Sequence, residues 1–205
     1  YLCLLGWSPK DNREMLPLQE VVALFDLPQI LRHNARFDLT KLNWLNYEYI
    51  RALGAERFAK SARQAFGRAG IDVAGFDGAY VSAALATCKD KVKLFSDLPA
   101  YAGFYFQDEV VYEAEAARKD FTPENRPRLA KLRAAFAQAD RFDADALQNI
   151  LKAVAAELGV KAGVLVHPAR LACTGQAAGP SLYHLLEVLG KKRVLDRLDR
   201  ALAVM

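Results

Sequence analysis

Apolar residues recur at intervals of three and four through most of the chain, whereas few stretches alternate apolar with polar residues. The first spacing is typical of amphipathic α-helices and the second of half-buried strands. The clearest helical stretch in the first quarter of the chain begins after Asp38 and ends at Gly54. Its apolar face holds Leu39, Leu42, Leu45, Tyr49 and Leu53. The pattern therefore predicts an all-α fold.

Residues that favour helix ends divide the chain further. Asp77 and Asp143 stand where a carboxylate accepts hydrogen bonds from the free backbone N–H groups at a helix start. The remaining helices are predicted over 17–25, 55–69, 78–90 and 94–103, from 122 and from 143 onward, over 161–175 around Pro168, and on either side of Gly190. Residues 107–120 show no firm period, so a boundary between two parts is predicted near residue 120.

Composition sets the class of protein. The chain has 205 residues, of which 53% are hydrophobic and 25% charged. These are the values of a globular protein long enough to bury a substantial core. No apolar run approaches the roughly 18 residues that span a bilayer, so no membrane partner is expected. The chain starts with Tyr1 rather than Met, which indicates a piece of a longer protein.

The sequence offers few candidates for catalysis or metal binding. The phosphate-binding, hydrolase and zinc-protease signatures are all missing from it. Three cysteines lie far apart without a C-x-x-C pair, which disfavours disulfides and zinc and favours a cytoplasmic location. They are Cys3, Cys88 and Cys173, each interpreted as a small hydrophobic residue. The histidines His33, His167 and His184 stand alone and are interpreted as ordinary surface or core residues.

Charge and aromatic residues leave nucleic-acid binding open. The formal net charge is +4, and residues 121–205 hold 13 lysines and arginines against 8 acidic residues. A basic surface suits a phosphate backbone, although a net charge this small is also common on solvated surfaces. The aromatic run at 104–106 is interpreted as core, with base stacking as the alternative.

Two basic clusters lie beside turns. Lys89, Lys91 and Lys93 follow the helix predicted to start at 78. Arg170 precedes the turn residues at 174–175 and 179–180, which come just before another helix start. A helix N-terminus with a nearby arginine can bind a phosphate or a base edge. The alternative is a C-capping glycine, a loop and a helix restart without a ligand.

Three passages, read in order, resemble the C-terminal half of bacterial-type glutamyl-tRNA synthetases. The start, YLCLLGWSPKDNREMLPLQEVVALFD, resembles the LGWS-type segment of that family. FDLTKLNWLNYEYIRAL resembles its F-D-x-x-K-L-x-W-x-N-x-x-Y-I pattern, and HPARLACTGQAAGPSLYHLLEVLGKKRVLDRLDRAL resembles its P-x-R-x-A-L-T-G, G-P-x-L and L-G-K-E series. The last passage departs from the family at Cys173, where leucine is usual, and at 192–193. The match runs through nearly the whole chain.

The resemblance implies a division of the chain and a partner. Residues 1–53 would be a helical stem-contact region, and 54–120 and 121–205 the two helical subdomains that bind the anticodon. The expected partner is tRNA-Glu, through its anticodon loop and stem. The H-I-G-H and K-M-S-K-S signatures that hold ATP in this family are missing here. The resemblance therefore places ATP, Mg²⁺ and glutamate in an N-terminal catalytic domain, no cofactor in this chain, and no aminoacylation by this chain alone.

The resemblance also assigns RNA-binding residues. The anticodon readers would be Arg170, Thr174, Gly175, Gly179, Pro180 and Leu182. Lys91, with Lys89 close by, would stand where some members carry an arginine that selects an anticodon base. Lysine keeps the charge there but lacks the planar fork of arginine, which leaves the choice between glutamate and glutamine tRNAs open. Lys41 and Asn46 would contact the stem, with Trp44 as a core anchor.

A second interpretation belongs to another class of protein. A helical protein–protein interaction module derived from the synthetase would keep these motifs without binding RNA. The salt dependence of binding distinguishes the two interpretations. Binding through phosphate contacts weakens steeply as the salt concentration rises, whereas binding in an apolar groove does not. A stand-alone enzyme is the least favoured interpretation.

Overall fold

The computed structural model describes residues 1–32 and 34–205, so His33 lies outside the described residues. Within them the fold is all-α, as predicted, with ten α-helices, four short 3-10 helices and no strand. The α-helices are α1 (Leu18–Leu24), α2 (Leu39–Ala52), α3 (Ala55–Arg68), α4 (Gly78–Ala86), α5 (Leu98–Ala102), α6 (Ala114–Asp120), α7 (Asn125–Ala137), α8 (Ala144–Glu157), α9 (Gly163–Thr174) and α10 (Leu182–Val204). None of these helices is long and apolar enough to cross a membrane.

The predicted helix starts follow from the capping carboxylates. Asp38 accepts a hydrogen bond from the backbone N–H of Lys41 at 3.1 Å, and Asp143 accepts one from that of Ala146 at 3.0 Å. Asp77 likewise caps α4. Each carboxylate satisfies a backbone N–H group that has no partner within its helix.

Two predictions are wrong in detail, and one helix lies outside the predicted set. Helix α4 ends at Ala86 rather than at residue 90, and the turn that follows carries the lysine cluster. Helix α6 lies in the segment that shows no period, because its seven residues bury one side chain, Ala116. Cys3 is exposed in a 3-10 helix rather than packed, whereas Cys88 and Cys173 are buried as expected.

Residues 1–53 bury few side chains. Trp7, Leu16, Leu45 and Ile50 are among those buried, while many large apolar side chains are exposed. The prediction that Trp44 anchors the core is wrong, because its side chain is 45% exposed. Leu45 and Ile50 define the buried face of α2, and at 3.6 residues per turn Trp44 falls on the opposite face.

One hydrophobic core extends from α2 to the end of α10. It includes Phe104, Tyr105 and Phe106, so the interpretation of the aromatic run as core is confirmed. In the C-terminal half, α10 packs on α7, α8 and α9. Gly190 breaks α10 with a φ of 79° and a ψ of 157°, which agrees with the predicted helices on either side of it. The division into 54–120 and 121–205 remains a prediction, since buried residues of both parts share this core.

The second half of α10 buries a charge, although arginine side chains are mostly exposed in proteins. Arg197 is 2% exposed. Its guanidinium donates to the carbonyl oxygens of Cys173 at 2.5 Å, Phe104 at 2.7 Å and Gln107 at 2.6 Å. A buried cation is tolerated when hydrogen bonds replace its hydration. Arg197 therefore ties the end of α9 to the aromatic run.

Candidate nucleic-acid interface

The loop at 175–181 joins α9 to α10, and its first residue must be glycine. Gly175 ends α9 with a φ of 78° and donates its N–H to the carbonyl of Leu171 at 2.8 Å. A Cβ added there would lie 2.3 Å from the carbonyl oxygen of Val111. Positive φ and this close approach both exclude other residues. The C-capping glycine, loop and helix restart considered above are thus what the local structure shows.

Arg170 lies across this loop. Its Nη1 donates to the carbonyl oxygen of Pro180 at 2.6 Å, and a Cβ added at Gly179 would lie 3.4 Å from the same nitrogen. No other hydrogen bond of the guanidinium is found within 1–32 and 34–205, and the side chain is only partly buried. Burial lowers the pKa of Arg170 from its ordinary value. One edge of the planar group thus holds the loop while other N–H donors keep no protein partner.

Thr174 and Leu182 are buried at the two ends of the loop. The hydroxyl of Thr174 donates to the carbonyl of Arg170 at 2.8 Å and accepts from the backbone N–H of Gln176 at 3.1 Å. Leu182 is 3% exposed and packs in the hydrophobic core. Of the predicted anticodon readers, the structure brings Arg170, Gly179 and Pro180 into contact.

A groove of about 630 Å³ lies between the end of α4 and the start of α10. Lys91 lines one wall and Ser181, next to Pro180, lines the other, whereas Arg170 is not among the lining residues. The full lining is Ala83, Ala86, Thr87, Asp90, Lys91, Ser181, His184, Glu187 and Val188. The ring Nδ1 of His184 lies 3.1 Å from the Ser181 hydroxyl. The groove therefore offers a cation, an aromatic ring and both kinds of hydrogen-bonding group.

Lys89 has a structural contact instead. Its Nζ donates to the carbonyl oxygen of Leu53 at 2.5 Å, at the C-terminal end of α2, where a cation is favoured by the helix dipole. Lys91 is exposed and forms no ion pair with any side chain that the structure describes. Of these two lysines, Lys91 is the one that lines the groove.

The two predicted stem-contact residues also have protein partners. Lys41 Nζ forms an ion pair with Glu14 at 2.5 Å. The amide of Asn46 donates to the carbonyl oxygen of Lys93 at 2.6 Å, which ties α2 to the lysine-bearing turn. Neither residue is among those that line the groove.

Sequence reasoning missed three residues around the loop. Glu113 and Gln176 hold the loop through contacts to distant segments, and His184 lines the groove. Glu113 and Gln176 carried no local signal, because their partners lie far away in the sequence. His184 stands three residues after Ser181 at the start of α10, a spacing that places both on one side of a helix. Across the described chain, no three His, Cys, Asp or Glu side chains are grouped to hold a metal ion.

Comparison with known proteins identifies the class of this fold. A sequence profile described as the anticodon binding domain matches residues 57–202. The chain belongs to the anticodon binding domain family.

The relatives of the chain are more specific than the family. It is similar to the glutamate–tRNA ligase of Methylacidiphilum infernorum, with 36% identity over 198 residues that make up 97% of this chain and 45% of that protein. It is also similar to the glutamate–tRNA ligase of Moorella thermoacetica, with 35% identity over 205 residues, or 98% of this chain and 42% of that protein. The chain thus spans less than half the length of these relatives, and the resemblance to glutamyl-tRNA synthetases is confirmed.

Solved structures agree on the fold. A glutamate tRNA ligase from Elizabethkingia meningosepticum, in complex with its amino acid, superposes with a TM-score of 0.86 at 24% identity. This match covers 98% of the present chain and 39% of that one. The glutamate–tRNA synthetase of Elizabethkingia anophelis gives a TM-score of 0.82 at 23% identity. These likenesses establish the helical architecture.

Proposed function

We propose that this chain is the part of a glutamate–tRNA ligase that contacts the stem and reads the anticodon of tRNA-Glu. The observation that carries the proposal is the arrangement of Arg170, the 179–180 turn and the groove beside it. Among the described residues, Arg170 keeps N–H donors without a partner at the turn, and Lys91 on the groove wall forms no ion pair. This combination suits unstacked bases and the phosphates between them, which is how single-stranded RNA loops are recognised.

Each group has a distinct chemical task in this proposal. The guanidinium of Arg170 donates to a base edge, because its planar fork matches two acceptors at once. Lys91 meets a phosphate as a point charge, and the ring of His184 supplies a surface on which a base stacks. Thr174, Gly175 and Leu182 shape the loop from within the protein. Lys41 and Asn46 serve the stem-contact region, where they also hold α2 to neighbouring segments.

The whole ligase attaches glutamate to tRNA-Glu with ATP and Mg²⁺, in the cytoplasm. In this proposal the catalytic chemistry belongs to another part of the ligase, since the chain spans 45% and 42% of the two relatives compared above. The present chain contributes affinity and selection of the tRNA. It is therefore expected to bind tRNA without forming glutamyl-adenylate.

Binding to RNA transcripts tests this proposal. The 205-residue chain is titrated with a tRNA-Glu transcript and with one whose middle anticodon base is changed, each at two salt concentrations. We expect salt-dependent binding that weakens with the base change. Arg170→Ala weakens binding by about 1–3 kcal/mol, the range for one bidentate base contact, and Arg170→Lys falls between it and the unmodified chain.

Arg68→Ala is the matched control, since Arg68 is exposed at the end of α3 and has no ion-pair partner among the described residues. Binding that is indifferent to the base removes the reading role from Arg170. Binding of a protein partner with little salt dependence, and of no RNA, supports the interaction-module interpretation instead.

A further inference from the structure

The segment before α6 crosses the end of α9. The carbonyl oxygen of Val111 approaches Gly175 so closely that no Cβ fits between them. Two residues later, the backbone N–H of Glu113 donates to the carbonyl oxygen of Gly175 at 2.8 Å. The segment is therefore packed against the point where the 175–181 loop begins.

Glu113 holds the loop a second time through its side chain. One carboxylate oxygen accepts a hydrogen bond from the backbone N–H of Ala177 at 3.1 Å. A single residue thus engages two backbone groups of the loop, one by its main chain and one by its carboxylate. The two contacts fix the direction in which the chain leaves Gly175.

The middle of the loop has little other support. Gln176 is held by Thr174 and by its own side chain, which donates to the carbonyl of Ala100 at 2.5 Å. Pro180 is held by Arg170. Between them, in the part of the chain that the structure describes, the bond from Ala177 to Glu113 is the hydrogen bond that anchors 177–179.

We infer that Glu113 is a positioning residue for anticodon recognition, acting by holding the loop so that Gly179 and Pro180 stay against Arg170. This inference rests on the proposed function and adds a specificity determinant outside the RNA-contacting residues. Loss of the carboxylate frees 177–179 to adopt other conformations. The base is then read only by the fraction of molecules with the loop in place, whereas phosphate contacts form in the other molecules as well. The apparent affinity therefore falls more for the transcript with the correct base than for the one with the changed base.

Three variants test the inference. Glu113→Ala removes the acceptor, Glu113→Gln keeps an amide oxygen in its place, and Glu115→Ala is the matched control. Glu115 is exposed on the first turn of α6, and its side chain makes no hydrogen bond or ion pair to the described residues. The measurement is the ratio of dissociation constants for the two transcripts that differ in the middle anticodon base.

We expect Glu113→Ala to reduce this ratio by roughly three- to tenfold. This is the change expected when the loss of one hydrogen bond lowers the fraction of molecules that hold the loop in place. Glu113→Gln restores most of the ratio, and Glu115→Ala leaves it unchanged. The melting temperature and the salt dependence of binding stay near those of the unmodified chain, because the carboxylate is exposed and lies outside the core.

An unchanged ratio in Glu113→Ala overturns the inference, and so does an equal loss in Glu113→Gln, which would assign the effect to charge. A uniform loss of affinity for both transcripts, with a lower melting temperature, would show that Glu113 supports the fold alone. Failure of the proposed function is distinct from these outcomes. In that case the unmodified chain itself shows no difference between the two transcripts.

Discussion

Arg193 and Tyr80 join the two halves of the molecule. The Nη1 of Arg193, on α10, donates to the Tyr80 hydroxyl on α4 at 2.9 Å, and its guanidinium carbon lies 5.6 Å from the centre of the Tyr80 ring. The same nitrogen donates to the carbonyl oxygen of Tyr105, and the guanidinium also covers Phe76. Arginine makes such contacts because its planar cation both donates hydrogen bonds and stacks on aromatic faces.

Replacing the neighbouring buried arginine should destabilise the fold strongly. Arg197→Leu leaves the carbonyl oxygens of Cys173, Phe104 and Gln107 without their donor. We expect a loss of about 2–4 kcal/mol in the free energy of unfolding, measured by urea denaturation, since buried unpaired acceptors retain their full desolvation cost. Arg200→Leu, which loses one exposed contact to Asp108, should cost less than ~1 kcal/mol. Equal losses in both variants would contradict the structural role of the buried guanidinium.

Alanine at Gly175 should also destabilise the protein. The positive φ and the Val111 carbonyl oxygen, 2.3 Å from an added Cβ, both oppose a side chain. A cost of roughly 2–3 kcal/mol is expected in the same unfolding measurement. Gly67→Ala is the contrast, because Gly67 lies within α3 with nothing within 4 Å of an added Cβ, and should gain up to about 1 kcal/mol. A neutral Gly175→Ala would show that the loop can move away from Val111.

The two tryptophans should differ in fluorescence. Trp7 is 2% exposed and Trp44 is 45% exposed. The Trp44→Phe variant keeps only the buried Trp7, so its emission should be blue-shifted and weakly quenched by iodide. The Trp7→Phe variant keeps only the exposed Trp44, so its emission should be readily quenched. Equal quenching of the two single-tryptophan variants would contradict the orientation of α2.

Thiol reactivity should separate Cys3 from the other two cysteines. Cys3 is exposed, while burial raises the pKa of Cys88 to about 11 and that of Cys173 to about 12. A disulfide reagent at pH 8 is expected to modify one thiol in the folded chain and three after denaturation, because the thiolate is the reactive form. Cys3→Ser should abolish the reaction of the folded chain. Rapid reaction of that variant would place a second thiol at the surface.

The same two thiols should make stability depend on alkaline pH. Both pKa values are raised above the ordinary value of 9.0, so the unfolded chain releases these protons at a lower pH than the folded chain does. Their contribution to stability is fully present below pH 9 and declines as the pH rises from 9 to about 11 for Cys88 and to about 12 for Cys173. The measurement is the urea midpoint of unfolding across this pH range, for the unmodified chain and for a Cys88→Ala, Cys173→Ala double variant. The midpoint should decline less with pH in the double variant.

Local rules predict much of this fold. Asp38, Asp77 and Asp143 are recognisable in the sequence because capping needs only one side chain and the next three residues. The break at Gly190 is recognisable for a similarly local reason. The burial of Arg197 and the exposure of Trp44 depend instead on which segments pack together, and residue type alone assigns each to the wrong side.

The candidate site divides in the same way. Arg170, Gly179 and Pro180 are close in sequence, so a motif marks them together, and the structure shows one hydrogen bond and one close approach among them. The groove that unites Ser181 with Lys91 needs the packing of α10 on α4, which no short motif encodes. Glu113 lies outside any motif, because its partner Ala177 is 64 residues away.

The break at Gly190 gives the groove a fixed width. Ser181 and His184 line the groove at the start of α10. The second half of α10 contacts α4 through the hydrogen bond from Arg193 to Tyr80. Since α4 leads into the opposite wall, the partly buried contact between Arg193 and Tyr80 connects the two walls. If the groove binds RNA as proposed, we expect its capture rate to be set by diffusion and charge rather than by an opening step, because the two walls are already connected in the free chain.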